Sequence, residues 1–462
     1  MTQRSAVPGA GPVLEAGFPN GPARGESVPD RDADAGQAAG MTAMTARFAA
    51  AVPMWLNVPA PAPVATPGER RLGLRRPPLV TQDGVRVEAL SFDVASLHRE
   101  AWLHLSQHAI EPNPFLDPDF ALAAARHLPV ARRPSFVVAR GLVGGRMRMM
   151  GLLAIEPGRR LLTGVATAWT HPYSALGAPL IGTARAREAL EGLLAWVSAN
   201  VRGAGALMLP NLSRDGAVTH LLRRSAMANG RQFRLLDPRM RAVARVDGER
   251  AAPAASKEMR RQWRRLGETG DLAFRVVTDP VEIRNGFEQF LALEAAGWKG
   301  ARGTALIADP GSAAFSRSAV RMMAARGAAR LVALTLDGAA IAIGVVLIAG
   351  GEAAFWKIAH DPAFGKFSPG AQLSLRLAEH AADDPLMRAV DSCAAQNHPM
   401  IDRVWPERLA MADVALSLPA ASAHGQPRAG AFKSSLARET ARRGARQLAK
   451  RAFLAVMGRK QV

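Results

Sequence analysis

Two stretches of the chain place charged side chains among apolar and aromatic residues, a setting that changes how such side chains ionise. The first stretch holds Glu294, Trp298 and Lys299, and the second holds Lys357 in a run that is otherwise apolar. A carboxylate or a lysine can accept a proton in a reaction, and a lysine can also bind an anionic group. We therefore take Glu294 as the candidate general base, Lys357 as a further catalytic candidate and Lys299 as a candidate for binding an anion, with Trp298 as a wall of the same site.

The surroundings of Lys357 and Glu294 leave alternatives. If Phe355 faces the core, alternation along a strand predicts that Lys357 shares its face. A buried lysine is costly unless it is paired, and Asp391, on what reads as a neighbouring strand, is the expected partner. The alternatives are a lysine at a strand edge and, for Glu294, an exposed carboxylate on a helix.

A second kind of chemistry is expected where an apolar run opens into a helix. Ser368 suits the N-cap of this helix and Pro369 suits its first turn. The free N–H groups and the dipole of a helix N-terminus favour an anion. Ser368 and Gly370 are therefore the expected backbone contacts of a phosphate group.

Composition limits the classes of function. The 462 residues carry a net charge of +20, which predicts attraction to polyanions or phosphorylated ligands. From His424 to the C-terminus ten basic residues stand against one acidic residue, Glu439. The single cysteine, Cys393, excludes an intrachain disulfide and a multi-cysteine metal site, and we expect it to be a core residue. No apolar run reaches the length of a membrane helix, and no signal peptide is recognised, so we expect a cytoplasmic protein.

Patterns of apolar residues predict two folded units of α/β order with several antiparallel strands. The leader 1–80 is rich in Ala, Pro and Gly and is expected to be disordered. The first unit covers 85–236 and includes a predicted amphipathic helix from Ser96 to His108 with a serine cap. The second covers 255–418 with the order β-α-α-β-β-β-α-β-α-β after a basic helix capped by Ser256. Three of its strands are expected to form a meander with turns at Asp337-Gly338 and Gly350-Gly351. Because the units look like variations on one theme, we predict a diverged internal duplication. The segment 424–462 is expected to be a basic helical tail.

The second unit resembles the GNAT acyltransferase superfamily, and specifically its CelD-like branch associated with cellulose or exopolysaccharide biosynthesis. The resemblance covers about 255–410 and rests on the segments Leu293–Gly300, Gly303–Ala305, Trp356–Asp361, Phe367–Gly370, Asp391–Cys393 and His398–Trp405. The tandem arrangement is similar to that of Fem-type peptidyltransferases. The resemblance implies tandem GNAT-like domains, each with a mixed, mostly antiparallel sheet flanked by helices.

The resemblance also implies transfer of an acyl group, from acetyl-CoA or another acyl-CoA, to an amine, without a metal. The pyrophosphate of the donor would lie at Lys366–Ala371, although Pro369 replaces the first glycine of the usual loop. Many GNAT enzymes protonate the leaving thiolate with a late tyrosine. This chain has only Tyr173, so His398 is the candidate proton donor. The catalytic candidates are thus Glu294, Lys357, Asp391 and His398.

The acceptor is expected to be a small-molecule or saccharide amine. One alternative is a Fem-like transfer that uses aminoacyl-tRNA, for which the basic helix around Arg260–Arg265 would bind RNA; otherwise nucleic acid is not an expected partner. Another alternative is an inactive GNAT scaffold in a membrane-associated assembly. The tail from Phe432 to Met457 would then bind an anionic membrane surface at the inner face, or remain a solvated basic segment.

Overall fold

The computed structural model describes residues 78–129, 133–156, 164–201, 203–245, 253–418 and 431–459. The predicted disordered leader lies outside these residues, apart from its last three positions. The N-terminal unit contains strands β1 (Leu79–Val80), β2 (Arg86–Leu90), β3 (Ser135–Val143), β4 (Arg146–Ile155), β5 (Val165–Thr167), β6 (Leu180–Ile181), β7 (Ala206–Ser213) and β8 (Phe233–Arg245). Its helices are α1 (Phe92–Leu97), α2 (Arg99–Gln107), α3 (Pro118–His127), α4 (Ala186–Asn200) and α5 (Ala217–Ala228).

The C-terminal unit repeats this order of elements. Its strands are β9 (Leu272–Val277), β10 (Ala329–Leu336), β11 (Ala339–Ala349), β12 (Glu352–His360), β13 (Ala389–Asp391) and β14 (Arg408–Ser417). Its helices are α6 (Lys257–Gly267), α7 (Pro280–Ala296), α8 (Trp298–Ala301), α9 (Pro310–Ala324), α10 (Pro369–Ala381) and α11 (Ile401–Val404), and the long helix α12 (Ala431–Arg459) follows. The predicted mixed α/β class is therefore confirmed.

Local sequence signals account for the tight turns of the C-terminal unit. Asp337 and Gly338 both have positive φ, as do Gly350 and Gly351, and these pairs join β10 to β11 and β11 to β12. Two successive left-handed residues are what a two-residue hairpin requires, because the turn must match the twist of its strands. The predicted three-stranded meander is formed.

Helix caps agree with prediction in one case and differ in another. Ser256 caps α6 as expected, since its Oγ accepts a hydrogen bond from Met259 N. The predicted helix from Ser96 to His108 is instead two helices, and its predicted serine cap is wrong. Ser91 caps α1, whereas Ser96 lies inside α1 and donates its hydroxyl to Asp93 O.

Two sheets organise the described chain. One has the order β1-β2-β3-β4-β6, and the other has nine strands in the order β5-β7-β14-β8-β13-β12-β11-β10-β9. The large sheet is continuous because the units exchange their last strands. In it, β8 pairs with β13 of the C-terminal unit, β14 pairs with β7 of the N-terminal unit, and β8 and β14 pair with each other in antiparallel fashion.

Aromatic packing joins the units on one side of this sheet. Phe120 of α3 packs edge-to-face against Phe315 of α9, with 5.1 Å between ring centroids, and also against Trp356 of β12. Close to these rings, Arg326 pairs with Asp117 and Asp119 at the start of α3. The largest apolar core therefore includes residues of both units, and the two units are packed as one body.

The beginning of α12 packs on the N-terminal unit. Phe432 is buried against β5 and β7, with Leu436 beside it. Arg443 forms an ion pair with Asp413 of β14, which also accepts hydrogen bonds from Arg239 and Asn211 N. The expectation of an unattached tail is therefore wrong for this part of the helix. Among the described residues, no helix is both long and apolar enough to cross a membrane.

We expect the ion pairs of Asp413 to stabilise the packing of α12 on the exchanged strands. Burial raises its pKa, but the Asn211 amide, Arg443 and Arg239 together outweigh this and hold the pKa of Asp413 below its ordinary value. The stabilisation is therefore present near neutral pH and is lost as the pH falls through the folded-state value. We expect Asp413→Ala to lower the free energy of unfolding by about 3 kcal/mol at pH 7 in urea titrations.

The matched control is Asp237→Ala, because Asp237 pairs with the same Arg239 but its side chain is 68% exposed. This change should cost less than about 1 kcal/mol. Equal losses for the two variants would contradict the assigned role of Asp413.

Candidate active site

A β-bulge decides where Lys357 lies. Val345 of β11 is opposite Lys357 and Val346 is opposite Phe355, so Trp356 is an extra residue on β12. Such a bulge breaks the alternation of side chains. Lys357 therefore faces the same side as Trp356 and Val345, and the prediction that it shares the face of Phe355 is wrong.

Lys357 reaches an aromatic environment on this side of the sheet. Its Nζ lies 5.1 Å from the ring centroid of Tyr173 and 5.9 Å from that of Trp356. Burial lowers the pKa of Lys357 to about 8, and the positive charge of Lys299 adds to this, while Glu294 opposes it. A lysine with this pKa exists in both protonation states near neutral pH, as a group that exchanges protons during catalysis must.

Asp391 is not the partner of Lys357. Parallel pairing of β13 with β12 places Asp391 opposite Ala354, three residues and roughly 10 Å before Lys357 along the strand. The Oδ2 atom of Asp391 instead accepts a hydrogen bond from Arg241 Nη1 at 2.8 Å, and Oδ1 accepts one from Cys393 N. The predicted pair of Lys357 and Asp391 is therefore wrong, because the two strands diverge after one short ladder.

Glu294 and Lys299 form a buried ion pair beside Lys357. Glu294 is only 2% exposed, and its Oε1 accepts a hydrogen bond from Lys299 Nζ at 2.7 Å. Its Oε2 accepts from Leu306 N at 2.7 Å, and Lys299 also donates to Ile358 O. The alternative of an exposed helix carboxylate is wrong. Both oxygens of Glu294 have donors, so in this geometry the carboxylate fixes Lys299 and the turn at Leu306.

Trp298 lies at the open side of this pair. Its side chain is 60% exposed, and the guanidinium of Arg302 stands 5.1 Å from its ring centroid. The ring is exposed, its predicted role as a wall of the acceptor site stays a prediction, and no contact with Lys357 is observed among the described residues.

Sequence reasoning did not assign Tyr173 to the site. This residue belongs to the loop between β5 and β6 of the N-terminal unit, yet its hydroxyl donates to Ser312 Oγ of α9 at 2.7 Å. Ser312 Oγ in turn donates to Asp309 Oδ2 at 2.7 Å. The only signal in the sequence was that Tyr173 is the single tyrosine of the chain.

The loop that carries Tyr173 is fixed at two further points. Trp356 Nε1 donates to Tyr173 O at 2.9 Å, and Arg241 Nη2 donates to Ala175 O at 3.1 Å. Arg241 belongs to β8, the strand that the N-terminal unit inserts beside β13. Asp391 therefore acts in this geometry through Arg241, by holding the loop of Tyr173 against the C-terminal unit.

The predicted phosphate loop has an unusual backbone. Ser368 occupies the N-cap position of α10 with a left-handed φ of 54°, but its side chain forms no capping hydrogen bond. Lys366 is exposed, and its carbonyl accepts a hydrogen bond from Gln262 of the basic helix α6. The amide of Ala371 donates to Ser368 O. A Cβ at Gly370 would lie 3.3 Å from Met400 Sδ, so a side chain there would require the methionine to shift.

His398 and Cys393 have local structural roles. His398 Nδ1 accepts from the amides of Met400 and Ile401, so a neutral ring carries its proton on Nε2. Burial and the nearby Asp391 raise the pKa of the Cys393 thiol well above its ordinary value, against the effect of Arg241. The thiolate is therefore disfavoured, in agreement with the expectation of a core residue. No metal-binding group of side chains occurs in the described parts of the chain.

Part of the chain, within the C-terminal unit, matches a known protein family. Residues 253–398, which include β9 to β13, match the family model described as an acetyltransferase (GNAT) domain. The matched segment is less than half of the chain, and it includes Glu294, Lys357 and the loop before α10. The finer CelD-like assignment is not part of this match. A comparison with curated proteins finds no significant match.

Solved structures with a similar arrangement include tandem and Fem-type proteins. FemX is 12% identical with a TM-score of 0.46, and the match covers 70% of this chain and 96% of that chain. The C-terminal domain of a putative lysylphosphatidylglycerol synthetase from Agrobacterium fabrum is 10% identical with a TM-score of 0.45, covering 74% and 95%. A tandem GNAT protein from the clavulanic acid biosynthesis pathway is 14% identical with a TM-score of 0.36, covering 72% and 98%. No substrate is inferred from these likenesses.

The lowered pKa of Lys357 has a consequence for stability. At pH 7 the folded protein buries an ammonium group, and this cost disappears as the pH rises from about 8 to about 10.4, since the unfolded chain keeps its proton longer. Lys357→Met should therefore gain stability relative to the wild type at pH 7, by at most about 3 kcal/mol, and the gain should shrink by pH 10. Chemical denaturation at the two pH values measures this difference.

Lys257→Met serves as the control, because Lys257 is exposed at the start of α6. Its stability difference from the wild type should be the same at both pH values. A pH-independent difference for Lys357→Met would contradict the burial of a titrating ammonium at this position.

Proposed function

We propose that the protein is an N-acyltransferase that moves an acyl group, most simply acetyl, from acyl-CoA to an amine. The observation that carries the proposal is the bulge at Trp356, which turns Lys357 toward Tyr173 and the Glu294–Lys299 pair within the GNAT domain. The match to a GNAT acetyltransferase domain supports the reaction class. The residues around Lys357 support this lysine as the group that transfers the proton.

Lys357 acts in this proposal as the group that exchanges the proton. Neutral Lys357 Nζ takes a proton from the acceptor nitrogen as this nitrogen bonds to the thioester carbonyl carbon. When the carbon–sulfur bond breaks, the Lys357 ammonium returns that proton to the leaving thiolate. Atoms and charge balance without another reactant, because the products are an amide and the free thiol of CoA. Lys299, fixed by Glu294, keeps the pKa of Lys357 low.

The loop before α10 fits the phosphates of the donor. Ser368 holds a left-handed conformation that a residue with a side chain rarely adopts, and such strain is often found at ligand-binding loops. Lys366 is exposed beside it, and the arginine-rich helix α6 contacts the same turn through Gln262. Positive charge and helix N–H groups at one place favour a pyrophosphate. Pro369 has no N–H, and the amides of Ala371 and Gln372 already donate to Ser368 O, so the backbone donor would be Gly370, beside the ammonium of Lys366.

One other transferase reaction uses the same features. The exposed arginines of α6, including Arg260, Arg261 and Arg264, would also suit the phosphates of a tRNA that delivers an aminoacyl group. Aminoacyl-tRNA would then replace acyl-CoA as the donor bound by the same domain. A third reading, an inactive scaffold held at a membrane surface by α12, predicts no turnover at all.

Calorimetry and kinetics separate these readings. We expect acetyl-CoA or a longer acyl-CoA to bind, with turnover that rises with pH and an apparent pKa near 8, because neutral Lys357 is the active form. Lys357→Met should lower kcat by about 10²- to 10⁴-fold with little change in donor affinity. The control Lys257→Met should retain both properties.

Several results would count against the proposal. Failure of every acyl-CoA to bind, together with salt-sensitive binding of tRNA, would favour the aminoacyl reaction. A folded Lys357→Met variant with unchanged turnover or unchanged cellular function would remove the assigned role of Lys357. A rate that falls above pH 8 would mean that the ammonium form is required.

A further inference from the structure

A cavity beside Tyr173 has no role in the chemistry described above. It has a volume of about 320 Å³ and lies where α3 of the N-terminal unit approaches α9 of the C-terminal unit. Ligand sites range upward from about 300 Å³, so this cavity is at the small end of that range. Its size suits a single ring with a short chain and excludes an oligosaccharide.

The walls of the cavity are largely apolar. Leu128 and Pro129 line it from the end of α3, and Trp169 lines it from the loop that also carries Tyr173. Trp169 and Leu128 are almost completely buried, so this part of the wall is packed apolar surface, whereas Pro129 and Asp309 are exposed to solvent. Such walls favour an aromatic or aliphatic body over a hydroxyl-rich sugar, because each sugar hydroxyl would lose its water without a partner.

One edge of the cavity is built from oxygen atoms. Tyr173, Ser312 and Asp309 all line it, and hydrogen bonds connect their hydroxyl and carboxylate groups in that order. Hydrogen bonds from the Ser312 hydroxyl and amide hold the pKa of Asp309 below its ordinary value, so its carboxylate is charged at neutral pH. Three neighbouring oxygens with one negative charge are suited to an ammonium group.

This edge adjoins the reacting groups. The ring of Tyr173 lines the cavity and also contacts Lys357, whose Nζ lies 5.1 Å from the ring centroid. The oxygen edge therefore holds the acceptor as an ammonium, which must release one proton to solvent and move from the edge to Lys357 before its neutral nitrogen takes part in the step proposed above. Arg133 lies at the cavity as well, and its Nε donates to Ala125 O of α3. Its guanidinium is where a carboxylate on the acceptor would be accommodated.

We propose that this cavity binds the acyl acceptor, and that the acceptor is a small primary amine with an aromatic or aliphatic body, such as an arylalkylamine or an apolar amino acid. This inference rests on the proposed function, since it assigns the acceptor of that same reaction. It replaces the saccharide amine among the expected acceptors. It also gives the N-terminal unit a direct part in the site, through α3 and the Tyr173 loop.

Titration calorimetry with the full chain, with and without CoA, tests the assignment. The probes are phenethylamine, phenylalanine and glucosamine. We expect saturable binding of phenethylamine or phenylalanine and at least about tenfold weaker binding of glucosamine. A comparison of phenethylamine with phenylalanine shows whether a carboxylate near Arg133 strengthens binding. Tighter binding of glucosamine would overturn the assignment.

Two variants connect binding to the cavity. Leu128→Trp fills it and should weaken binding of the aromatic amine by at least about tenfold while the affinity for acetyl-CoA is unchanged. The matched control is Arg126→Trp, which adds the same ring to the exposed side of α3 and should change neither affinity by more than about twofold. Asp309→Asn keeps a residue that can cap α9 but removes the charge, so it should weaken ammonium binding also by about tenfold.

The outcomes distinguish the two proposals. Binding of acetyl-CoA with no binding of either aromatic amine, or unchanged amine affinity in Leu128→Trp, would overturn the acceptor assignment and leave the proposed function standing. Cavity-dependent binding of the amine without binding of any acyl-CoA would remove the proposed function and leave a small-amine site.

Discussion

The pairing of β8 with β14 is the constraint on which the rest of the structure depends. These strands are the last of their units, and each lies within the sheet of the other unit. Because of this exchange, Arg241 of β8 comes to lie beside Asp391 of β13, and the pair reaches the backbone of the Tyr173 loop. Neither unit can move far from the other without breaking a ladder of backbone hydrogen bonds. The candidate site is therefore composite, with Lys357 in one unit and the Tyr173 loop in the other.

Within this arrangement of the two units, a single extra residue in β12 decides where Lys357 lies. Trp356 breaks the alternation of β12 and turns Lys357 away from the side where Phe355 packs. The lysine is then removed from solvent and lies close to a second lysine, and both effects favour its neutral form. Glu294 limits this lowering of the Lys357 pKa, because it neutralises Lys299 without pairing with Lys357. In the proposed reaction, this lysine would accept a proton as the free amine and return it as the ammonium.

Local signals in the sequence were sufficient for the hairpins, the order of elements and the position of the helix that begins at Pro369. Gly350 and Gly351, for example, have the positive φ values that their pairing suggested. The errors came from long-range packing. A bulge at Trp356 has no local signature, so the predicted face of Lys357 was wrong, and the short ladder of β13 separated Asp391 from it. Tyr173 comes from a loop 184 residues before Lys357, and the strand exchange that brings the units together cannot be read from periodicity.

The bulge at Trp356 places Lys357 in surroundings that bring its pKa close to neutral pH. Direct titration of the lysine side chains by NMR, with the Lys357→Met variant used to assign the signal, tests this without any assumption about substrates. The structure predicts one lysine that loses its proton at about pH 8, and its signal should be missing in the variant. A Lys357 signal that titrates at the ordinary value of about 10.4 would contradict the account.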